Sequence, residues 1–393
     1  MKKSRKVISM LLVCMLVATS LAGCGAKEKS ESKSSADGTV FKIGGIGPLT
    51  GGAAIYGQAV KNAMELAVEE INTAGGINGS KVEMNFQDDE HDAEKAVNAY
   101  NTLKDWGMQA LLGTVTSTPC VAVVNEATAD NMFLLTPSGS AVQCVEGDNA
   151  FRVCFSDPNQ GSASAEYIGK NGLAKKVAVI YDSSDVYSAG IYEKFSSEAK
   201  NQGFDIVAAE AFTADNNKDF STQIQKAKDA GAELVFLPIY YTEAALILGQ
   251  AKKIGYDAKF FGCDGLDGIL TVENFDTTLA EGLMLLTPFA ADAQDEATQK
   301  FVKTYKDTYG DVPNQFAADA YDGMYAMKAA FEAEKVTPDM DSSEICEAAK
   351  KGMTSITVMG LTGGTEGITW TADGEPNKSP KAVQITDGAY KGM

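Results

Sequence analysis

Apolar residues recur along this chain with two alternating periods. Val60, Met64, Ala67 and Ile71 share one face of a helix predicted over residues 58–73, whereas Val82, Met84 and Phe86 alternate as a strand does. The first series reads strand 40–46, helix 58–73, strand 82–86, helix 92–106, strand 110–115, a further helix, and strand 132–135. A second series starts after strand 151–155, with a helix to 169, strand 176–181, helix 189–202, strand 206–209, helix 220–230 and strand 234–240. Such alternation predicts βαβ units with parallel sheets, an α/β fold. Two similar units predict two lobes, with the ligand beyond the carboxyl ends of the strands, in a cleft between them. The last hundred residues add helices over 297–309 and 315–334, a glycine-rich stretch 360–367, and a hairpin-like 370–378. Recrossings near residues 157, 288 and 365 assign 39–157 plus 289–364 to lobe one, and 158–288 plus 365–393 to lobe two.

The first 38 residues break this pattern. Lys2, Lys3, Arg5 and Lys6 precede an apolar run over 8–22, then Leu21-Ala22-Gly23-Cys24 and a Ser/Lys/Glu-rich stretch. The run is shorter than the roughly 20 residues needed to span a bilayer, and small residues precede the cysteine, so residues 1–23 read as a secretory signal peptide. The protein is therefore expected outside the cytoplasm. Leu-Ala-Gly-Cys resembles the bacterial lipobox, which makes Cys24 a lipidation site and residues 24–38 an anchor with a flexible tether. Membrane contact is expected through this lipid alone.

Cleavage removes four of the 34 Lys and Arg and none of the 53 Asp and Glu, taking the formal net charge from -19 to -23. A chain so acidic repels phosphate backbones, so nucleic acid is excluded as a partner. Beyond Cys14 and Cys24, the cysteines are Cys120, Cys144, Cys154, Cys263 and Cys346, an odd number with no CxxC pair. This is neither a zinc pattern nor a disulfide scaffold. A Cys120–Cys144 bridge is compatible with export; buried thiols are the expectation.

Enzyme motifs are missing or broken. Gly45-Ile46-Gly47-Pro48 follows a strand, but Thr50 stands where GxGxxG has its third glycine, and no GxxxxGK[ST] loop exists. The one histidine, His91, sits in Asp88-Asp89-Glu90-His91-Asp92, where acidic residues fit a helix N-terminus better than a metal or catalytic dyad. No GxSxG elbow is present. A carboxylate pair for glycoside hydrolysis stays compatible with the sequence, but the lone histidine favours binding over turnover, with no catalytic residue, metal or cofactor.

Several segments together carry a resemblance: Lys42-Ile43-Gly44 through Gly47-Pro48-Leu49-Thr50-Gly51 with Tyr56-Gly57, Ala67-Val68-Glu69-Glu70-Ile71-Asn72 through Ala74-Gly75-Gly76-Ile77-Asn78-Gly79, Asp88-Asp89, Thr136-Pro137-Ser138, Lys218-Asp219-Phe220 and Tyr240-Tyr241. The chain resembles the leucine/isoleucine/valine-binding proteins of bacterial ABC importers over nearly its whole mature length. That resemblance implies a two-lobed type I periplasmic binding fold, a monomer that delivers an amino acid to a permease and ATPase, and hinge closure around the ligand. By position it implies that Val115, Thr116, Ser117, Ser138, Gly139 and Ser140 face the ligand from lobe one, with Ser117 and Thr118 at its carboxylate and Ser138 and Ser140 supplying hydroxyl and carbonyl contacts. For Ser138, helix capping stays an equal reading. Asp264, in Phe261-Gly262-Cys263-Asp264-Gly265, matches the acidic position that holds the ammonium. Tyr56, Tyr187 and Tyr240 match aromatic walls of the side-chain pocket, with core packing as the plain alternative. Gram-negative relatives join two cysteines where this chain has His91 and Thr116, so Thr116 is expected to add a hydroxyl beside the carboxylate site. The second functional expectation is a sensor of the same fold for an amide, a short-chain acid or an aromatic compound.

Overall fold

A computed structural model describes residues 40–393; the expected signal peptide, Cys24 and the expected tether lie outside the described residues. The first sheet is built from β1 (Phe41–Gly47), β2 (Val82–Asp88), β3 (Ala110–Gly113), β4 (Leu134–Thr136) and β5 (Ala150–Arg152). All pairings are parallel, in the order β2-β1-β3-β4-β5. β3, at the centre, is buried throughout, as its unbroken apolar run Ala110-Leu111-Leu112 requires of a parallel strand covered on both faces. The helices threaded through this sheet are α1 (Ala54–Thr73), α2 (Ala93–Trp106) and α3 (Ser117–Asp130). Asp92 caps α2 by accepting from Lys95 N, and Gly107 ends it in a left-handed conformation at φ 90.

The second lobe starts with α4 (Asp157–Lys170) and continues β6 (Lys176–Asp182), α5 (Val186–Ala199), β7 (Asp205–Phe212), α6 (Ser221–Asp229), β8 (Leu234–Leu237), α7 (Tyr241–Lys253), β9 (Lys259–Gly262) and β10 (Met284–Thr287). The chain then returns to lobe one for α8 (Glu296–Tyr309), α9 (Gln315–Ala333) and α10 (Ser342–Met353). α8 and α9 pack on α1, and α10 packs on α9. Finally β11 (Lys381–Thr386) and β12 (Ala389–Gly392) close the second sheet, whose order is β12-β11-β10-β9-β8-β6-β7, with only the β10-β11 and β11-β12 pairings antiparallel.

The third recrossing differs from expectation. Residues 365–378 stay with lobe one: Trp370 Nε1 donates to Arg152 O on β5 at 2.7 Å, Arg152 N donates to Gly374 O, and Lys378 Nζ sits 2.5 Å from Asp319 Oδ1 on α9. Both members of that ion pair are 2% exposed, so moving Lys378 away would strand a buried carboxylate. The chain changes lobe only between Lys378 and β11, not at Thr365. α10 was not expected, nor was the β11-β12 hairpin.

Candidate functional site

The site is assembled at the carboxyl ends of both parallel sheets. From β3, residues 114–116 run into the first turn of α3, where the backbone N–H groups of Ser117 and Thr118 have no intrahelical acceptor. From β4, residues 137–141 form a loop laid against it. Ser117 Oγ accepts from Ser140 N and Ala141 N at 3.1 and 3.2 Å, and Ser138 Oγ donates to Val115 O at 2.6 Å. Gly139 has no room for a side chain, because a Cβ would lie 2.8 Å from Cys120 Sγ and from Thr136 Oγ1. Buried Arg152 supports the loop from beneath by donating to Gly139 O at 3.1 Å. Ser140 Oγ is buried and finds no hydrogen-bond partner among the described residues.

Opposite, the turn after β9 presents Asp264. Its Oδ1 accepts from Tyr187 OH at 2.8 Å, Gly265 N donates to the same phenol at 3.0 Å, and Asp264 N donates to Gln160 Oε1 at 3.1 Å. Burial pushes Asp264 up to about 7, against the hydrogen bonds that favour its charged form. Asp157 and Asp185, also buried, are raised by the same loss of water, and neither Asp157 oxygen has a partner among the described residues. This end of the cleft is rich in carboxylate.

Tyrosines line the seam. Tyr187 and Tyr240 stack at 4.9 Å, and Tyr56 meets Tyr240 edge-on at 5.7 Å. Tyr240 OH is buried without a partner among the described residues. The Tyr56 hydroxyl is spent between lobes: it donates to Gly265 O at 2.5 Å and accepts from Tyr241 N at 3.3 Å. Thr118 Oγ1 likewise donates across the cleft to Asp185 Oδ1 at 2.9 Å.

The structure thus gathers Val115, Thr116, Ser117, Ser138, Gly139 and Ser140 on one side and Tyr187, Tyr240 and Asp264 on the other, with Tyr56 crossing between. Two of the hydroxyls read from sequence as facing the ligand already have partners within the protein. Thr116 Oγ1 is 2.8 Å from His91 Nδ1, so it belongs to a side-chain pair, and the Ser138 hydroxyl is spent on Val115 O. His91 itself, read from sequence as part of a helix start, lies edge-on to Tyr240 at 5.3 Å and walls the cleft. Asp157, Asp185 and Gln160 were not among the site residues named from sequence; Asp185 caps α5, accepting from Ser188 N. The five cysteines from Cys120 onward are buried free thiols. Among the described residues no group of three or more His, Cys, Asp or Glu is placed to hold a metal ion, and no helix is long and apolar enough to cross a membrane.

Two mostly parallel sheets joined by three crossovers, with hydroxyls and helix amides facing a carboxylate across the seam, define a bilobed type I periplasmic binding fold. The periplasmic binding protein family model matches residues 40–389, and this chain belongs to that family, in its Leu/Ile/Val-binding branch. It is a binding protein, not an enzyme. It is similar to Leu/Ile/Val-binding protein homolog 3 of Brucella melitensis, 32% identical over 322 residues that cover 81% of this chain and 85% of the relative. It is also similar to the leucine-, isoleucine-, valine-, threonine- and alanine-binding protein of Pseudomonas aeruginosa, 28% identical over 352 residues covering 89% and 90% of the two chains. Among solved structures, the branched-chain amino acid transporter substrate binding protein LivJ of Streptococcus pneumoniae, in complex with isoleucine, superposes with a TM-score of 0.80 at 27% identity, covering 90% of this chain and 98% of that one.

Proposed function

We propose that this protein captures an apolar α-amino acid of the branched-chain type between its lobes and presents it to an ABC importer, from an anchor at Cys24 on the outer face of the membrane. The observation that carries the reading is Asp264. It is a carboxylate 4% exposed, raised to about 7 by burial, at the end of β9 on the lobe-two side of the cleft. An ammonium placed there would restore the ionised form, while the ligand carboxylate takes the Ser140 hydroxyl and the amides at the start of α3. Lobe one would hold one end of the zwitterion and lobe two the other, so the ligand favours the closed arrangement by binding it better than the open one. The tyrosine wall and Val115 would receive the aliphatic side chain.

The reading is tested by calorimetric titration of the exported chain with the common amino acids. Binding confined to leucine, isoleucine, valine and their small neighbours is expected, with a loss in Asp264→Ala of about 2–5 kcal/mol for one partner of a desolvated charge pair. Unchanged affinity in Asp264→Ala would remove the basis of the proposal. The anchor is tested separately, by incorporation of labelled fatty acid in cells: Cys24→Ala is expected to abolish it and release the protein.

A further inference from the structure

A cavity of about 960 Å³ lies apart from the amino-acid cleft. It is half-open, and none of Tyr56, Ser117, Ser140, Tyr187, Tyr240 and Asp264 lines it. Its walls come from both lobes. Ile55 and Ala59 on α1 and Val302 on α8 belong to lobe one, Leu270 belongs to lobe two, and Phe289 lies on the crossover between them. A volume of this size suits a small molecule of up to drug size.

The lining also specifies chemistry. Polar groups that could have hydrated the floor are already engaged: Asn62 Nδ2 donates to Tyr305 OH, Tyr309 OH donates to Asn62 O at 2.8 Å, and Tyr390 OH accepts from Gly268 N at 3.0 Å. What Tyr305, Tyr309 and Tyr390 offer a guest is therefore ring surface, which attracts cations to its face. The charged side chains in the lining are Asp267, Asp292, Asp311 and Lys306, an excess of two negative charges. Asp267 is buried, whereas Asp292 and Asp311 stand exposed at the rim. An apolar anion would meet three carboxylates against the single ammonium of Lys306. We infer that this cavity is a second ligand site, selective for apolar organic cations such as aryl-alkyl amines.

The probes are 1-naphthylmethylamine, a cation at neutral pH, and 1-naphthylacetate, its anionic counterpart, titrated by naphthyl fluorescence into the full mature chain. The cation is expected to bind saturably, at least tenfold more tightly than the anion, and to keep binding when leucine saturates the protein. Reversing the rim charges with Asp292→Lys and Asp311→Lys together is expected to weaken the cation at least tenfold. Both positions are exposed, so that variant stays folded even where the filling substitution Ala59→Trp does not. Binding of the cation should persist in Asp264→Ala, which separates this site from the amino-acid cleft whatever that variant does to leucine. Absence of saturable binding, equal binding of both probes, indifference to rim reversal, or competition with leucine would each overturn the assignment.

Discussion

Replacing Asp264 by Asn should move stability and affinity in opposite directions. In the unfolded chain the carboxyl titrates near 3.8, whereas in the folded protein burial holds it at about 7. A shift of about three units corresponds to roughly 4 kcal/mol of differential interaction between the two protonation states. The sign follows from proton counting. Between about pH 4 and 7 the folded protein binds more protons at this site than the unfolded chain, so stability falls as pH rises through that window and levels above it. Asn retains an acceptor for Tyr187 OH and carries no charge. Relaxation will return part of the cost, so Asn is expected to stabilise the ligand-free protein by about 1–3 kcal/mol at pH 8 and by close to nothing at pH 4. Ligand affinity should fall by about 2–5 kcal/mol, roughly 30- to 5,000-fold. Urea unfolding of wild type and Asp264→Asn across that pH range reads the first effect, and calorimetric titration at pH 8 reads the second. A variant that is less stable than wild type at pH 8 would refute the argument that this charge is held at a cost, and a variant that binds like wild type would refute its role toward the ligand.

Three further outcomes follow from the geometry. Ser140→Ala removes a buried hydroxyl with no partner among the described residues, so the urea midpoint should barely move while ligand affinity drops by about 1.5–3 kcal/mol, the worth of a hydrogen bond to a charged group; a folding defect with intact binding would contradict this. Lys378→Met leaves Asp319 buried without its cation and should cost about 3–5 kcal/mol of stability by urea unfolding, largely recovered when Asp319→Leu is added. In Gly57→Ala the new Cβ would stand 1.9 Å from Pro48 O, a backbone atom that cannot rotate aside, so a loss of about 1–3 kcal/mol is expected, and a neutral result in thermal unfolding would show that the loop before α1 is softer than its packing implies.

What the sequence disclosed tracks how local each determinant is. α2 ends where Gly107 takes a left-handed backbone, and both βαβ series stand at the positions their periodicity indicated. α10 was legible in principle, because Asp341 and Glu344 form a capping box, but it follows the polar stretch 337–341 and carries few apolar residues. The third recrossing was not legible: glycines near Thr365 read as a hinge, whereas Trp370 and Lys378 are held to lobe one by Arg152 and Asp319, partners 218 and 59 residues away. The same limit applies to the cleft. Motif spacing named Thr116 and Ser138, but only tertiary placement spends one hydroxyl on His91 and the other on Val115 O. Asp157 offered no pattern beyond an ordinary helix start.

The late return of the chain to the second sheet bears on biosynthesis. β11 supplies the antiparallel neighbour of β10, and Lys378 neutralises Asp319 inside lobe one, so both lobes take essential material from the short stretch 378–386. Neither lobe is complete until that stretch has been made. A nascent chain in that condition cannot lock into its native form early. A ribosome that stops short of those residues would leave two unfinished lobes for proteolysis.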